Sequence, residues 1–316
     1  MNGLKQHYAK IIVWAILLTI PYWFTYVGGY LGLANEIVIY ALAAMALNFL
    51  LGFTGVLSFG HAAFFGLGAY GTALTIKFLV PSTLVGLAVG VLTATVAGMI
   101  IGALIIKRRG VYFAMATIAF GQLFFFIANR WNSVTGGDDG VGNWHRLPIN
   151  LGFAKIPLFH NSLVYYYFTL LMFALAVGAM GLLLDGPFGR SLMAIRENER
   201  RARFLGINIE LHVWISFVIS TAICGLAGGL LALLDNFVNP RDLRFDLSGV
   251  LVVMAVMGGM RSFWGPLLGA AIFQWLREVL SSHTPNWQTY IGIVFVLVVL
   301  FFRRGILGFK LSTVKS

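Results

Sequence analysis

A single cysteine, Cys224, sits beside Gly225 in an apolar segment, so no disulfide framework can form and the thiol reads as a filler of a small packing position. Charged residues are also scarce, at 10 % of a chain that is 59 % hydrophobic. Water-soluble domains carry roughly a quarter charged residues, so a soluble globular domain is excluded. No Gly-x-x-x-x-Gly-Lys-Ser/Thr sequence occurs, which rules out ATP binding through a P-loop. No grouping of histidines and carboxylates suits a catalytic metal. The Gly-x-Ser-x-Gly spacing of a hydrolase is missing as well. Ser58 and His61 lie three apart, but nothing near them in sequence orients the imidazole. Gly66, Gly68 and Gly71 do fit Gly-x-Gly-x-x-Gly, yet no strand precedes them, so no dinucleotide site is implied. The chain is read as a non-enzyme that needs no cofactor.

Long apolar sequence takes the place of charge. Residues 11–35, 37–76, 78–106, 110–129, 156–184, 211–234 and 279–302 contain no Asp, Glu, Lys or Arg. A helix crosses a bilayer with about 20 apolar residues, so each run supplies one span and the second is long enough for two. The short alternating segments of a membrane barrel are missing. The expected fold is therefore all-α, a polytopic integral membrane bundle of 8–10 transmembrane helices in contact with lipid. Spans are placed at 11–27, 37–51, 59–79, 82–106, 110–129, 163–184, 211–234, 247–260, 262–280 and 287–302. The pair 247–260 and 262–276 is short and contains glycine, and reads either as tilted spans or as half-helices that enter and return. Lys5 and Lys10 before the first run imitate a signal peptide, but Tyr22, Trp23 and Phe24 occupy the place of a small-residue cleavage site, so the segment is expected to be a retained span.

The charges that do occur are sorted by side. With the N-terminus inside, fifteen of the 22 basic residues fall in inner connections and seven in outer ones, while four of the 11 acidic residues fall inside. The whole net charge of +11 then lies on the inner face, as the positive-inside rule requires. The basic pI is thereby explained without nucleic acid, and both termini are expected to be cytoplasmic. Tyr22, Trp23, Tyr26 and Tyr30, and Tyr165, Tyr166 and Tyr167, fit an aromatic belt at the outer interface.

Within the spans, Gly86, Gly90, Ala94, Gly98 and Gly102 recur every fourth residue, a ridge that lets another helix approach closely, and Gly225 with Gly229 and Gly265 with Gly269 repeat the spacing. The stretch Asn48 to Gly71 is rich in glycine and holds Asn48, Ser58 and His61. It reads as a broken pair of helices whose polar groups face the bundle interior, where transporters build their paths. Gln122, polar in the middle of the fifth span, joins them as a candidate pathway residue. Asn48, His61 and Gln122 each read also as an interhelical hydrogen-bond partner. No carboxylate lies in the middle third of a span, which argues against a proton pump and against a deep ionic anchor for a substrate.

Gly189 to Gly206 stands out against this background, with five arginines and two glutamates between apolar segments. Leu192, Ile195, Ala202 and Leu205 fit one side of a short helix, and Glu197 with Arg201 and Glu199 with Arg203 are i,i+4 pairs in the favourable order. The segment reads as a topology signal or as a docking element that receives force from a soluble partner. With neither a P-loop nor an intramembrane acid in the chain, the docking role is expected.

These blocks together resemble the permease of a bacterial ABC importer of the branched-chain amino-acid type. The resemblance rests on Asn48 to Gly71, Arg109-Gly-Val-Tyr-Phe-Ala-Met-Ala-Thr117, Thr135-Gly-Gly-Asp-Asp-Gly140, Gly189 to Gly206, and Gly249 to Gly269 with Gly258-Gly259 and Trp264-Gly-Pro266. It implies one permease domain over 1–316 with a cytoplasmic coupling segment at 186–210, in the bacterial inner membrane. It also implies a second, homologous permease, two ATP-binding subunits and a periplasmic solute-binding protein, which the outer connection from Arg130 to Asn161 could contact. Gly189, Arg190, Arg196, Glu197, Glu199, Ala202 and Gly206 are the expected ATPase-coupling residues. Glu199, Ala202 and Gly206 match the family's loop, except that Glu199 precedes Ala202 by three residues where the commonest pattern has two. Leucine, isoleucine and valine are the expected substrates. Urea or a short amide is the alternative within the family, and a self-sufficient secondary transporter or channel is the alternative outside it.

Overall fold

The computed structural model describes residues 2–142, 144, 149–150, 155–156, 162–301 and 305–306. Arg146 and other parts of the Arg130 to Asn161 connection, Arg303, Arg304, Lys310 and Lys315 lie outside the described residues. All ten expected spans are helical. The helices are α1 (Asn2–Trp23), α2 (Leu31–Asn48), α3 (His61–Leu74), α4 (Thr83–Ile105), α5 (Val111–Arg130), α6 (Asn132–Thr135), α7 (Ser162–Asp185), α8 (Pro187–Glu197), α9 (Glu199–Phe204), α10 (Ile209–Asp235), α11 (Phe245–Gly258), α12 (Gly265–His283) and α13 (Trp287–Phe301). Extended structure among the described residues is limited to two-residue pairings, Val141–Gly142 with Phe237–Val238 and Ile149–Asn150 with Lys155–Ile156.

Six helical stretches are long and apolar enough to cross a membrane, namely Leu31–Thr54, His61–Leu79, Thr83–Ile105, Val111–Arg130, Ser162–Asp185 and Ile209–Asp235. Ile11–Val27, Phe245–Gly258 and Trp287–Val298 are shorter apolar helices. The chain is thus an all-α polytopic membrane protein. At about 1.5 Å per residue, the 14 residues of α11 fall short of the hydrocarbon core. α11 instead folds back against α12, where a Cβ on Gly269 would overlap the Met254 carbonyl and one on Gly258 the Gly265 carbonyl.

α2 is apolar on every side, and a helix of that kind belongs in the middle of a bundle. Val38, Ile39, Leu42 and the alanines around them are fully buried. It begins at Leu31, earlier than the uncharged run predicts, because Glu36 is met by Arg277 of α12 at 3.6 Å. The small-residue ridge of α4 is absorbed within the chain, with Gly90 against Thr72 and Gly68 of α3 and Gly98 against Thr221 of α10. α3 and α10 cross so closely that a Cβ on Gly68 would overlap the Gly225 carbonyl. Cys224 fills the adjoining space and donates to the His61 carbonyl at 3.3 Å.

The tyrosine belt divides. Tyr22, Tyr26 and Tyr30 are exposed, but Tyr165 and Tyr166 are buried and make interhelical bonds at 2.6 Å to the carbonyls of Leu230 and Leu17. Leu17 has an unused carbonyl because its i+4 partner is Pro21, which has no N–H. Tyr166 supplies the missing donor.

Candidate functional site

The glycine-rich stretch breaks as the sequence predicts. α2 runs on as a π-helical turn over Phe49–Thr54 and stops at Gly55, whose φ of 81° is left-handed and open to glycine at little cost. An irregular segment leads to α3. Two of the amides released there are taken by other helices, since Phe59 N–H donates to Thr117 Oγ1 of α5 at 3.2 Å and Ala62 N–H donates to Ser248 Oγ of α11 at 2.8 Å.

His61 lies at the centre of the break, fully buried, between two hydroxyls. Ser58 Oγ is 2.9 Å from Nδ1 and Ser220 Oγ is 2.7 Å from Nε2. The direction of these bonds follows from the ends of the chain of contacts. Ser220 gives its one proton to the Ala46 carbonyl, which can only accept, so Nε2 carries the hydrogen that Ser220 receives. Nδ1 then accepts from Ser58, and Ser58 accepts from the Gly60 N–H at 3.3 Å. Every member is satisfied with a neutral ring. The Ser58–His61 contact has the form of a nucleophile and its base, but both residues are sealed from solvent and, among the described residues, no carboxylate orients the imidazole. The network ties α2, α3 and α10 together at the break.

Asn48 is also buried. Its Nδ2 donates to the Ser262 carbonyl in the connection between α11 and α12 at 3.2 Å, and its Oδ1 has no partner among the described residues. Gln122, by contrast, is exposed on α5, so within this chain it is not an interhelical partner. Gly121 beside it lines a shallow cleft with Gly60, Ala63, Phe64, Thr117 and Phe120 that has no room for a water molecule. The cleft is apolar apart from Thr117.

The arginine-rich segment folds as two helices rather than one. Asn198 is extended (φ −162°, ψ 103°) and its side chain caps α9 by accepting from Arg201 N–H at 2.9 Å. The break separates Glu197 from Arg201, and Glu199 and Arg203, although both in α9, turn to other partners. Glu199 pairs instead with Arg109, at 3.2 Å, and Arg203 with Glu210, at 2.8 Å. Leu192, Ile195 and Ala202 are buried as expected, whereas Leu205 lies past the end of α9 and is 73 % exposed. Gly189 is buried where a Cβ would overlap the Leu184 backbone, and Gly206 turns the chain at φ 80°. Arg190, Glu197 and Glu199 are exposed.

The two predicted groups of residues meet through Arg196. Its Nη1 donates to the Gly52 carbonyl in the last turn of the broken helix, and its aliphatic stem passes Gly55. The last carbonyls of a helix have no internal donors, and a cation there also answers the negative end of the helix dipole. Burial, and secondarily the nearby Arg261, lower the Arg196 pKa from its usual value. A Cβ on Gly52 would overlap the Met260 carbonyl. The same turn therefore touches α8 on one side and the connection between α11 and α12 on the other.

Sequence reasoning missed Ser220, Ser248 and Thr117. Serines and threonines in apolar helices commonly bond to their own preceding turn, as Thr72, Thr75 and Thr95 do here. Nothing in the sequence separates those from the three that cross to another element.

A broken, polar-spotted bundle with a charged helical pair docked on the break defines a membrane transport protein of the permease class. The chain belongs to the branched-chain amino acid transport system / permease component family, whose model matches residues 29–302. It is similar to the high-affinity branched-chain amino acid transport system permease protein LivM of Escherichia coli (strain K12), with 27 % identity over 318 residues covering 94 % of this chain and 75 % of LivM. The probable branched-chain amino acid transport permease protein LivM of Methanocaldococcus jannaschii is 25 % identical over 297 residues, covering 81 % and 83 % of the two chains. The permease protein BraD of Pseudomonas aeruginosa, of a high-affinity branched-chain amino acid transport system, is 27 % identical over 287 residues, covering 85 % and 91 %. No solved structure matches the chain.

Proposed function

We propose that this chain is the membrane-spanning subunit of an ATP-driven importer for branched-chain, hydrophobic amino acids. It works in the bacterial inner membrane with both termini cytoplasmic and forms one permease domain over its length. The segment at 186–210 receives the closing motion of ATP-binding subunits and passes it to the spans. A second, homologous permease, two ATP-binding subunits and a periplasmic solute-binding protein complete the machine.

The observation that carries this reading is the Arg196 bond to the Gly52 carbonyl. It joins the charged segment directly to the turn where α2 ends. A displacement of α8 pulls on that turn, which is also held to Ser262 through Asn48 and to α10 through the contact of Thr54 with Ser216 at 3.3 Å. α9 adds a second link, Glu199 to Arg109 at the start of α5. Phe204, 84 % exposed, and Leu205 next to it give this end an apolar surface that suits a protein partner. In this reading Asn48, Ser58, His61 and Gln122 belong to the moving wall of the pathway.

Replacing Arg196 and Glu199 together by alanine is expected to uncouple ATP hydrolysis from uptake in the reconstituted complex while leaving membrane insertion intact. Unchanged uptake of L-leucine in that double variant removes the segment from the mechanism.

A further inference from the structure

α5 buries one side only. Phe113, Ala114, Thr117, Gly121 and Ala128 face inward, where Thr117 accepts from the Phe59 N–H at the break and a Cβ on Gly121 would touch Ala63 at 3.8 Å. On the other side Val111, Met115, Gln122 and Phe126 are exposed. Gln122 is the twelfth of the 20 residues of α5, which puts it about 12 Å along the axis from the nearer end. A side chain of its length does not reach a headgroup layer from there. Its amide offers two donors and an acceptor oxygen, and it makes no hydrogen bond among the described residues.

The other outward faces carry no such group among the described residues. The exposed middles of α4, α7 and α13 are apolar, with Leu92 and Val96, Leu171 and Leu175, and Ile293 and Val296 facing out. Thr19 of α1 is exposed as well, but it donates to the Ala15 carbonyl of its own helix at 2.8 Å and accepts from Trp23 at 3.3 Å. An amide left without partners in hydrocarbon is costly, and polar side chains inside a membrane therefore turn to protein or to a water-filled path. The neighbours of Gln122 decide between these. Val111, Met115, Ile118, Gln122, Phe125 and Asn129 recur at alternating intervals of four and three residues, the spacing of a seam between two helices. Large apolar side chains stand one turn to either side of Gln122, so a file of water along this line has nothing to bond to. A helix laid along α5 fits the spacing, and a single polar group in such a seam fixes its register. Asn129, half-buried seven residues further on, lies on the same line and has no side-chain hydrogen bond among the described residues.

We propose that this face of α5 is the seam with the second permease subunit, and that Gln122 bonds at mid-membrane to a polar side chain or a free carbonyl on a helix of that subunit. The proposal rests on reading the chain as one of two paired permeases. It makes the wall to which Gln122 belongs the one that the second permease closes. α5 then stands between the subunit boundary and the break. Its outer side meets the partner, its inner side holds Phe59 through Thr117, and Arg109 just before its first turn is tied to Glu199. A shift of the charged segment thus reaches the subunit boundary as well as the turn at Gly52.

The test introduces the photoreactive residue p-benzoyl-phenylalanine in place of Met115, Phe126 or, as a control on α7, Leu175. The complete transporter is illuminated in its membrane, and the adducts are identified by mass spectrometry. Positions 115 and 126 are expected to capture the second permease, and position 175 lipid alone. Capture of lipid alone at 115 and 126 overturns the proposal, as does capture of an ATP-binding subunit there. Capture of a second copy of this chain assigns the face to self-association and also overturns it. Gln122→Leu keeps the bulk of the side chain and removes its hydrogen bonds. It is expected to lower the amount of second permease that stays with this chain in detergent about threefold, and Gln122→Asn is expected to lose less. An unchanged ratio in Gln122→Leu overturns the proposal. Should the leucine variant fail to insert, the photoadducts carry the test in a chain that keeps Gln122. If the purified system holds no second permease at all, the reading of the chain fails. If the two permeases purify together and the adducts at 115 and 126 fall on lipid, only the seam fails.

Discussion

Ser220 shows how much one hydroxyl can hold. It accepts from His61 Nε2–H and donates to the Ala46 carbonyl, so Ser220→Ala strips partners from both in a sealed interior. The expected cost is about 1–3 kcal/mol, read as a lowered unfolding midpoint in detergent. Ser58→Ala, which deprives His61 Nδ1 and the Gly60 amide, the latter of a long 3.3 Å contact, is expected to cost less. A midpoint unchanged by Ser220→Ala contradicts the network. Tyr166→Phe makes a parallel case, because it leaves the Leu17 carbonyl with neither Pro21 nor a hydroxyl to bond, and a loss of about 1–3 kcal/mol is expected there too. His61 and Asn48 were legible in the sequence as polar residues in an apolar stretch, and both are buried as a pathway or packing role requires. Their partners were not, since Ser220 lies 159 positions from His61 and the Ser262 carbonyl has no side-chain signature at all. Gln122 carried the same signal as Asn48 and came out exposed, because polarity in a span does not say which side of the helix faces the bundle.

Among whole elements, the glycines of α3, α4, α7 and α10 offer a comparison at fixed chemistry. Gly68 of α3 is pressed on the Gly225 carbonyl, whereas Gly178 of α7 has open space around its missing Cβ. Gly68→Ala is therefore expected to force α3 and α10 apart at about 1–3 kcal/mol or more. Gly178→Ala is expected to be neutral or to stabilise by about 0.5–1 kcal/mol through helix propensity. Stability measurements on the two variants check this, and equal effects refute the assignment of Gly68 to a close crossing. The four-residue spacing announced that α4 would pack closely. Only the contacts show that the ridge is used up inside one chain, against Thr72 and Thr221. Likewise the composition of 189–206 announced an amphipathic helix, but the extended conformation of Asn198 divides it and sends Glu199 to Arg109. A capping residue inside a charged run competes with continued helix, and here the cap prevails.

For the molecule as a whole, the proposed arrangement makes the chain a conduit without an engine. Purified alone, it is expected to hydrolyse no ATP and to show no ion-driven flux in liposomes; either activity contradicts the reading. Sidedness is testable with the same material. In a background where Cys224, buried and bonded to the His61 carbonyl, stays unlabelled, Arg201→Cys on exposed α9 is expected to react with an impermeant maleimide only from the cytoplasmic side. Labelling from the outside inverts the topology. Length, scarcity of charge and the uncharged runs determined by themselves that this is a helical membrane protein and where its helices lie, because the cost of placing a charge or an open backbone group in lipid is local to each segment. The structure alone decided which segments touch. The bond from Arg196 to Gly52 spans 144 residues, and that from His61 to Ser220 spans 159. Contacts of that kind depend on how helices cross, and crossing is fixed by side-chain shape and backbone approach, which no linear pattern of polarity records.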